Sequence, residues 1–124
     1  MDGLYALIAH MRAAARVSVL HHDPHLRGAA QTHIGALAQQ DRINHVDLQG
    51  TTPAERGRQA GYTGHVLGEL LAVGPDEDPR SVVSAWHDHG QTRAVLLEPG
   101  ARHIGLAHTC DGFGQNRWSI LLGA

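Results

Sequence analysis

The sequence predicts an α+β fold, and three observations carry that reading. Apolar residues recur at helical spacing through the first part of the chain, strict alternation appears only near its end, and the two alternating runs flank a glycine-bearing turn. Helices first and an antiparallel hairpin last argue against a parallel βαβ arrangement. The 124 residues suit one domain, 1–124. Folding a chain of this size should bury roughly two-thirds of its unfolded surface, enough for a single core.

Taken in order, Leu4, Leu7, Ile8, Met11 and Ala15 mark one face of a first helix over residues 4–17. Asp23-Pro24 reads as an N-cap followed by proline at the first helical position. Leu26, Ala30, His33, Ile34 and Leu37 then form the buried stripe of a second helix ending near Gln40. A loop, Asp41 to Gly50, precedes Thr52-Pro53-Ala54-Glu55, a capping-box pattern that opens a short helix stopping at Gly61. Val66 to Val73 reads as a strand and Pro75 to Pro79 as a loop, where Asp78-Pro79 repeats the cap-plus-proline device. A helix from Pro79 to about His89 buries Val82, Val83 and Trp86; Gly90 interrupts it, and Arg93 to Leu97 forms a further turn. Ile104, Leu106 and His108 share one face of a strand, Trp118, Ile120 and Leu122 one face of the next, and Asp111-Gly112-Phe113-Gly114 turns between them.

Composition excludes several classes. Ten basic residues, all Arg, stand against twelve acidic ones, a net charge of −2 with a pI near 6.6, so neither nucleic acid nor an anionic membrane is an expected partner. No apolar run approaches the roughly 20 residues of a membrane-spanning helix. No secretory signal is visible at Met1-Asp2-Gly3-Leu4. The single Cys110 excludes an internal disulfide and a multi-cysteine zinc site. A serine hydrolase fits poorly, because Ser18, Ser81, Ser84 and Ser119 lack a nucleophile-elbow context.

The eleven histidines outnumber the arginines, and most have bland readings. His21, His22 and His25 resemble a local metal patch but read more simply as exposed loop residues. His33 reads as a core histidine with one hydrogen bond. His87 and His89 lie two apart on a helix, on opposite faces, so they cannot share a metal, and His87 is expected to face solvent. His108 is expected to face either the sheet core or a cleft.

Several collinear segments resemble the CAP (SCP) family of cysteine-rich secretory proteins, antigen 5 and pathogenesis-related 1 proteins, in its compact bacterial form. They are Leu7 to Arg12, Leu26 to Ala38, Ile43-Asn44-His45, Glu55-Arg56 with Ala60-Gly61-Tyr62, Gly68-Glu69-Leu70, Val82 to Trp86, Arg93 to Pro99 and Ile104-Gly105-Leu106-Ala107. The resemblance implies an α-β-α sandwich with a small antiparallel sheet between helices. It also implies a central cleft lined by two histidines and acidic residues. His45 stands at the cleft histidine and Glu69 at the glutamate of the family's Gly-Glu-Asn segment. Thr92 replaces the second cleft histidine, Leu70 replaces the asparagine, and His89 supplies an imidazole where the family carries Glu or Ser.

The ligand cleft implied by the resemblance is therefore His45, Glu69, His89 and Thr92. The expected role is that of a non-enzymatic extracellular binding module for a small lipid, peptide or glycan, needing no cofactor. In one alternative His45, Glu69 and His89 hold Zn²⁺ for a hydrolase, because tetrahedral zinc accepts imidazole nitrogen and carboxylate oxygen. In the other the cleft is vestigial and the domain is structural or binds a protein partner. A cytoplasmic location and any oligomeric state are left open. If His45 and His89 are neutral when folded, acidification destabilises the domain.

Overall fold

The computed structural model describes residues 2–75 and 77–124; Asp76, in the expected Pro75–Pro79 loop, lies outside them, as does Met1. Among the described residues, five helices and four strands follow in the order α1 (Asp2–Ala14), β1 (His21–His22), α2 (Pro24–Gln40), α3 (Pro53–Gln59), β2 (Val66–Gly74), α4 (Pro79–Asp88), α5 (Gly90–Leu96), β3 (His103–Cys110) and β4 (Asn116–Gly123). Each helix start read from the sequence is built as its residues dictate. Asp23 accepts from the His25 and Leu26 N–H groups, Thr52 and Glu55 close a reciprocal capping box, and Asp78 accepts from Arg80 N–H.

The sheet order is β1-β3-β4-β2. β4 pairs antiparallel with β2 on one side and β3 on the other, and all eight of its residues are buried. Its alternation splits two cores. Trp118, Ile120 and Leu122 meet Leu4 and Ile8 of α1, Val82, Val83 and Trp86 of α4, and Leu96 of α5. On the opposite face Leu121 meets Leu26, Ala29 and Tyr62, while Ala107 of β3 meets Ala30, Ile34 and Leu37 of α2. Helices thus cover both faces of the sheet, giving the expected α-β-α layering. Trp86 Nε1–H also donates to the Leu71 carbonyl at 3.1 Å, tying α4 to β2.

Gly105 lets the second layer close. A Cβ there would lie 2.2 Å from Leu26 C and 2.3 Å from Arg27 N, so the first turn of α2 rests directly on β3.

Three elements differ from expectation. β1 falls where the sequence predicts loop; it joins the otherwise antiparallel sheet as a parallel edge, with His21 opposite His103 and His22 opposite Ile104. Two residues carry no periodic signal. Gly90 opens α5 outright, starting a helix earlier than the turn expected at Arg93. α1 ends at Ala14, short of Val17, because the chain reverses at Arg16 (φ 60°) and returns Ser18 to Arg12.

Arg12 is almost wholly buried, and desolvation lowers its pKa. Its guanidinium donates to the carbonyls of Ser18 (3.1 Å) and Leu96 (3.0 Å) and to Ser18 Oγ (3.1 Å). Arg12→Leu strands these buried acceptors, and urea denaturation is expected to show a loss of about 2–3 kcal/mol. A loss under about 0.5 kcal/mol, the scale of an ordinary surface change, would remove this cluster from the fold's supports.

Candidate functional site

The loop between α2 and α3, residues 41–52, is held at almost every turn. Asp47 Oδ1 accepts from Gln49 N–H and Thr51 N–H, and Gly50 takes the positive φ of 81°. These bonds keep the Asp47 carboxyl below the usual carboxylate range. Arg117, buried on β4, donates to the Arg42 carbonyl and to Asp41 and Asp111, fixing the loop's first residues to the sheet. His33, buried on α2, donates Nε2–H to the Asn44 carbonyl at 2.7 Å. The next residue is His45.

His45 Nδ1–H donates to Glu69 Oε1 at 2.8 Å, and Arg56 Nη2–H donates to Glu69 Oε2 at 2.6 Å. Glu69 projects from β2 toward α3 because its register partner Leu121 faces that layer. Arg56 is 6 % exposed and the Glu69 side chain 2 %, whereas the His45 side chain is 58 % exposed. Arg56 Nη1 donates as well to the His45 and Thr51 carbonyls, both at 2.9 Å. One buried guanidinium therefore neutralises Glu69 and ties together the loop that presents His45. With Nδ1 committed to Glu69, His45 keeps Nε2 as the nitrogen available to a ligand or a proton donor. Ile43, Val46 and Leu48 of the same loop are exposed apolar residues.

His89 and Thr92 lie at the start of α5, where each hydrogen-bonds a carbonyl of α4. His89 caps the α4–α5 junction, and its Nδ1–H donates to the Ala85 carbonyl at 2.9 Å. Thr92 Oγ1–H donates to the Trp86 carbonyl at 2.5 Å. The residues do not fit the zinc centre envisaged for His45, Glu69 and His89. Both Glu69 oxygens already accept from protein donors, and among the described residues no three His, Cys, Asp or Glu side chains group to hold one ion. His87 is half-buried rather than facing solvent. His108 is exposed on β3, its ring 4.1 Å from that of Trp118 and its Nε2–H donating to Asn116 Oδ1 at 2.7 Å.

Arg56 appeared in the sequence only as part of a motif, and nothing local shows that it turns inward. A buried carboxylate demands a cation, and that demand was its one available signal. His33 matches its expected core role, with a consequence for pH. Burial lowers its pKa below the ordinary 6.5, reinforced by nearby Arg56 and opposed by the Asn44 bond, Glu69 and Asp47. The unfolded chain then takes up the proton first. Stability is complete above about pH 6.5 and falls as pH drops toward the folded value. Melting curves from pH 7.5 to 5 should show this decline, and His33→Gln should flatten it; equal slopes in both proteins would assign the acid sensitivity elsewhere.

The model of the family described as CAP, cysteine-rich secretory protein family, matches residues 5–122. No curated protein sequence matches the chain significantly. Among solved structures, an outer surface protein of Borrelia burgdorferi superposes with a TM-score of 0.89 at 26 % identity, over 97 % of this chain and 88 % of that one. An extracellular SCP-domain protein of Bacillus anthracis gives 0.83 at 16 % identity, covering 98 % of this chain and 39 % of that one. A cysteine-rich secretory protein of Staphylococcus aureus gives 0.74 at 16 % identity, covering 97 % and 36 %. The last two share the fold as part of longer chains.

Proposed function

The chain belongs to the cysteine-rich secretory protein (CAP) family, and from that premise we propose that residues 1–124 form one extracellular domain that captures a small ligand without chemically altering it. The observation that carries this reading is His45: anchored through Nδ1 by a buried carboxylate, yet more than half exposed, on a loop that also exposes Ile43, Val46 and Leu48. A rigid hydrogen-bonding tip on such a loop suits an amphipathic molecule. Of lipid, peptide and glycan, a lipid with a hydroxyl head fits best. Its O–H donates to His45 Nε2 while its chain covers the loop. Glu69 and Arg56 hold the imidazole, and His89 and Thr92 support the α4–α5 junction. The extracellular setting draws on the relatives described as outer-surface and extracellular proteins, and no helix among the described residues is long and apolar enough to cross a membrane.

Monolaurin, with hydroxyls on an apolar chain, is a direct probe. Titration into isotope-labelled protein should shift the amides of Ile43 to Leu48. His45→Ala should weaken binding about tenfold, the value of one well-placed hydrogen bond. Unchanged affinity in His45→Ala would favour a vestigial cleft.

A further inference from the structure

We propose that the outer edge of β3, with the groove between it and α2, docks an extended peptide bearing a carboxylate. Among the described residues no strand covers most of this edge; Gly105, Leu106 and Ala107 are buried, and exposure resumes at His108. β4 pairs with β3 from His103 to Cys110, but β1 covers its other side only at His103 and Ile104. From Gly105 to Cys110 the outer edge has no strand neighbour among the described residues. The other outer strand, β2, is tied to α4 through Trp86.

The pleat sets which groups are offered. The Ile104 carbonyl faces outward, since it accepts from Asp23 N–H at 3.0 Å. Alternation then turns the N–H and C=O of Leu106 and His108 outward as well, continuing the ladder where β1 stops. Native edges of this length are usually blunted by charge or proline. Gly-Leu-Ala-His-Thr-Cys carries no proline and no Asp, Glu, Lys or Arg.

A cavity of about 470 Å³ runs beside this edge, lined by His22, Arg27, Gln31, Leu106 and His108 among others. Its apolar side is strand and its polar side is α2. Arg27 makes no ion pair among the described residues. The one carboxylate lining the cavity, Asp23, is engaged as the cap of α2. Two imidazoles and an unpaired guanidinium thus surround a row of backbone donors and acceptors. An extended peptide supplies the matching ladder, and an acidic side chain on it meets Arg27. Lipids and glycans offer no such repeating pattern.

The probe is acetyl-Thr-Val-Glu-Val-Thr-amide, titrated into isotope-labelled protein. Amide shifts are expected at Leu106 and His108, with those of residues 43–48 unmoved. N-methylating alternate residues of the probe should weaken binding at least about tenfold, by removing its ladder donors. Replacing its Glu by Gln should weaken binding about threefold to tenfold, and Arg27→Gln in the protein should erase that difference; Arg27 is exposed, so unchanged melting of the variant verifies its fold. The proposal is overturned by no shift at millimolar probe, by indifference to N-methylation, or by shifts confined to residues 43–48. Concentration-dependent protection of the same amides without peptide would overturn it too, because a second copy would then be the occupant.

Discussion

Arg56→Met is expected to lower the unfolding free energy by about 3–5 kcal/mol, the usual cost of stranding a buried charge. Glu69 Oε2 loses its partner at 2.6 Å while its side chain remains 2 % exposed. Methionine fills similar volume, so the loss is electrostatic rather than a cavity. The double variant Arg56→Met with Glu69→Gln should recover a large part of it, since no uncompensated charge then remains. Denaturant melts of the three proteins measure the coupling. If Arg56→Met alone costs less than about 1 kcal/mol, Glu69 is not an anion dependent on that guanidinium. The same substitution releases the His45 and Thr51 carbonyls, so amide exchange across residues 43–52 should accelerate even where the sheet stays protected.

Gly105→Ala is expected to cost about 3 kcal/mol, at the upper end for overpacking. The added methyl would sit 2.2 Å from backbone carbon of Leu26, and backbone inside a capped helix cannot swing aside as a side-chain tip can. The damage should appear as lost protection in α2 and β3, with the α1–α4–α5 layer less affected. Gly28→Ala is the matched control. It lies inside α2 with nothing within 4 Å of the new Cβ, and should stabilise by about 0.5–1 kcal/mol. A Gly105→Ala protein as stable as the parent would mean that α2 rides further from the sheet.

Elements whose cause is local were readable from the chain. The three capped helices begin where Asp23, Thr52 and Asp78 place them, and the alternation of Trp118, Ile120 and Leu122 picks out one face of β4. β1 was not readable, since its pairing is decided by His103 and Ile104, far along the sequence. The site divides the same way. His45 and Glu69, 24 residues apart, were paired only through family resemblance, and the structure brings them to 2.8 Å. Arg56 was missed because inward and outward arginines look alike in a short helix. His89 enters the expected cleft only through its position in the motif, and no local signal shows that its Nδ1–H donates to the Ala85 carbonyl of α4.

Among the described residues the buried central strand, β4, follows every other element yet is the only bridge between β2 and β3. Arg12 in α1 likewise finds its Leu96 acceptor 84 residues later. A nascent chain leaving the ribosome therefore cannot join β2 to β3 until β4 emerges. Its amphipathic helices must wait with their apolar faces uncovered, so the domain depends on late, long-range closure and, during synthesis, on whatever shields those faces from one another.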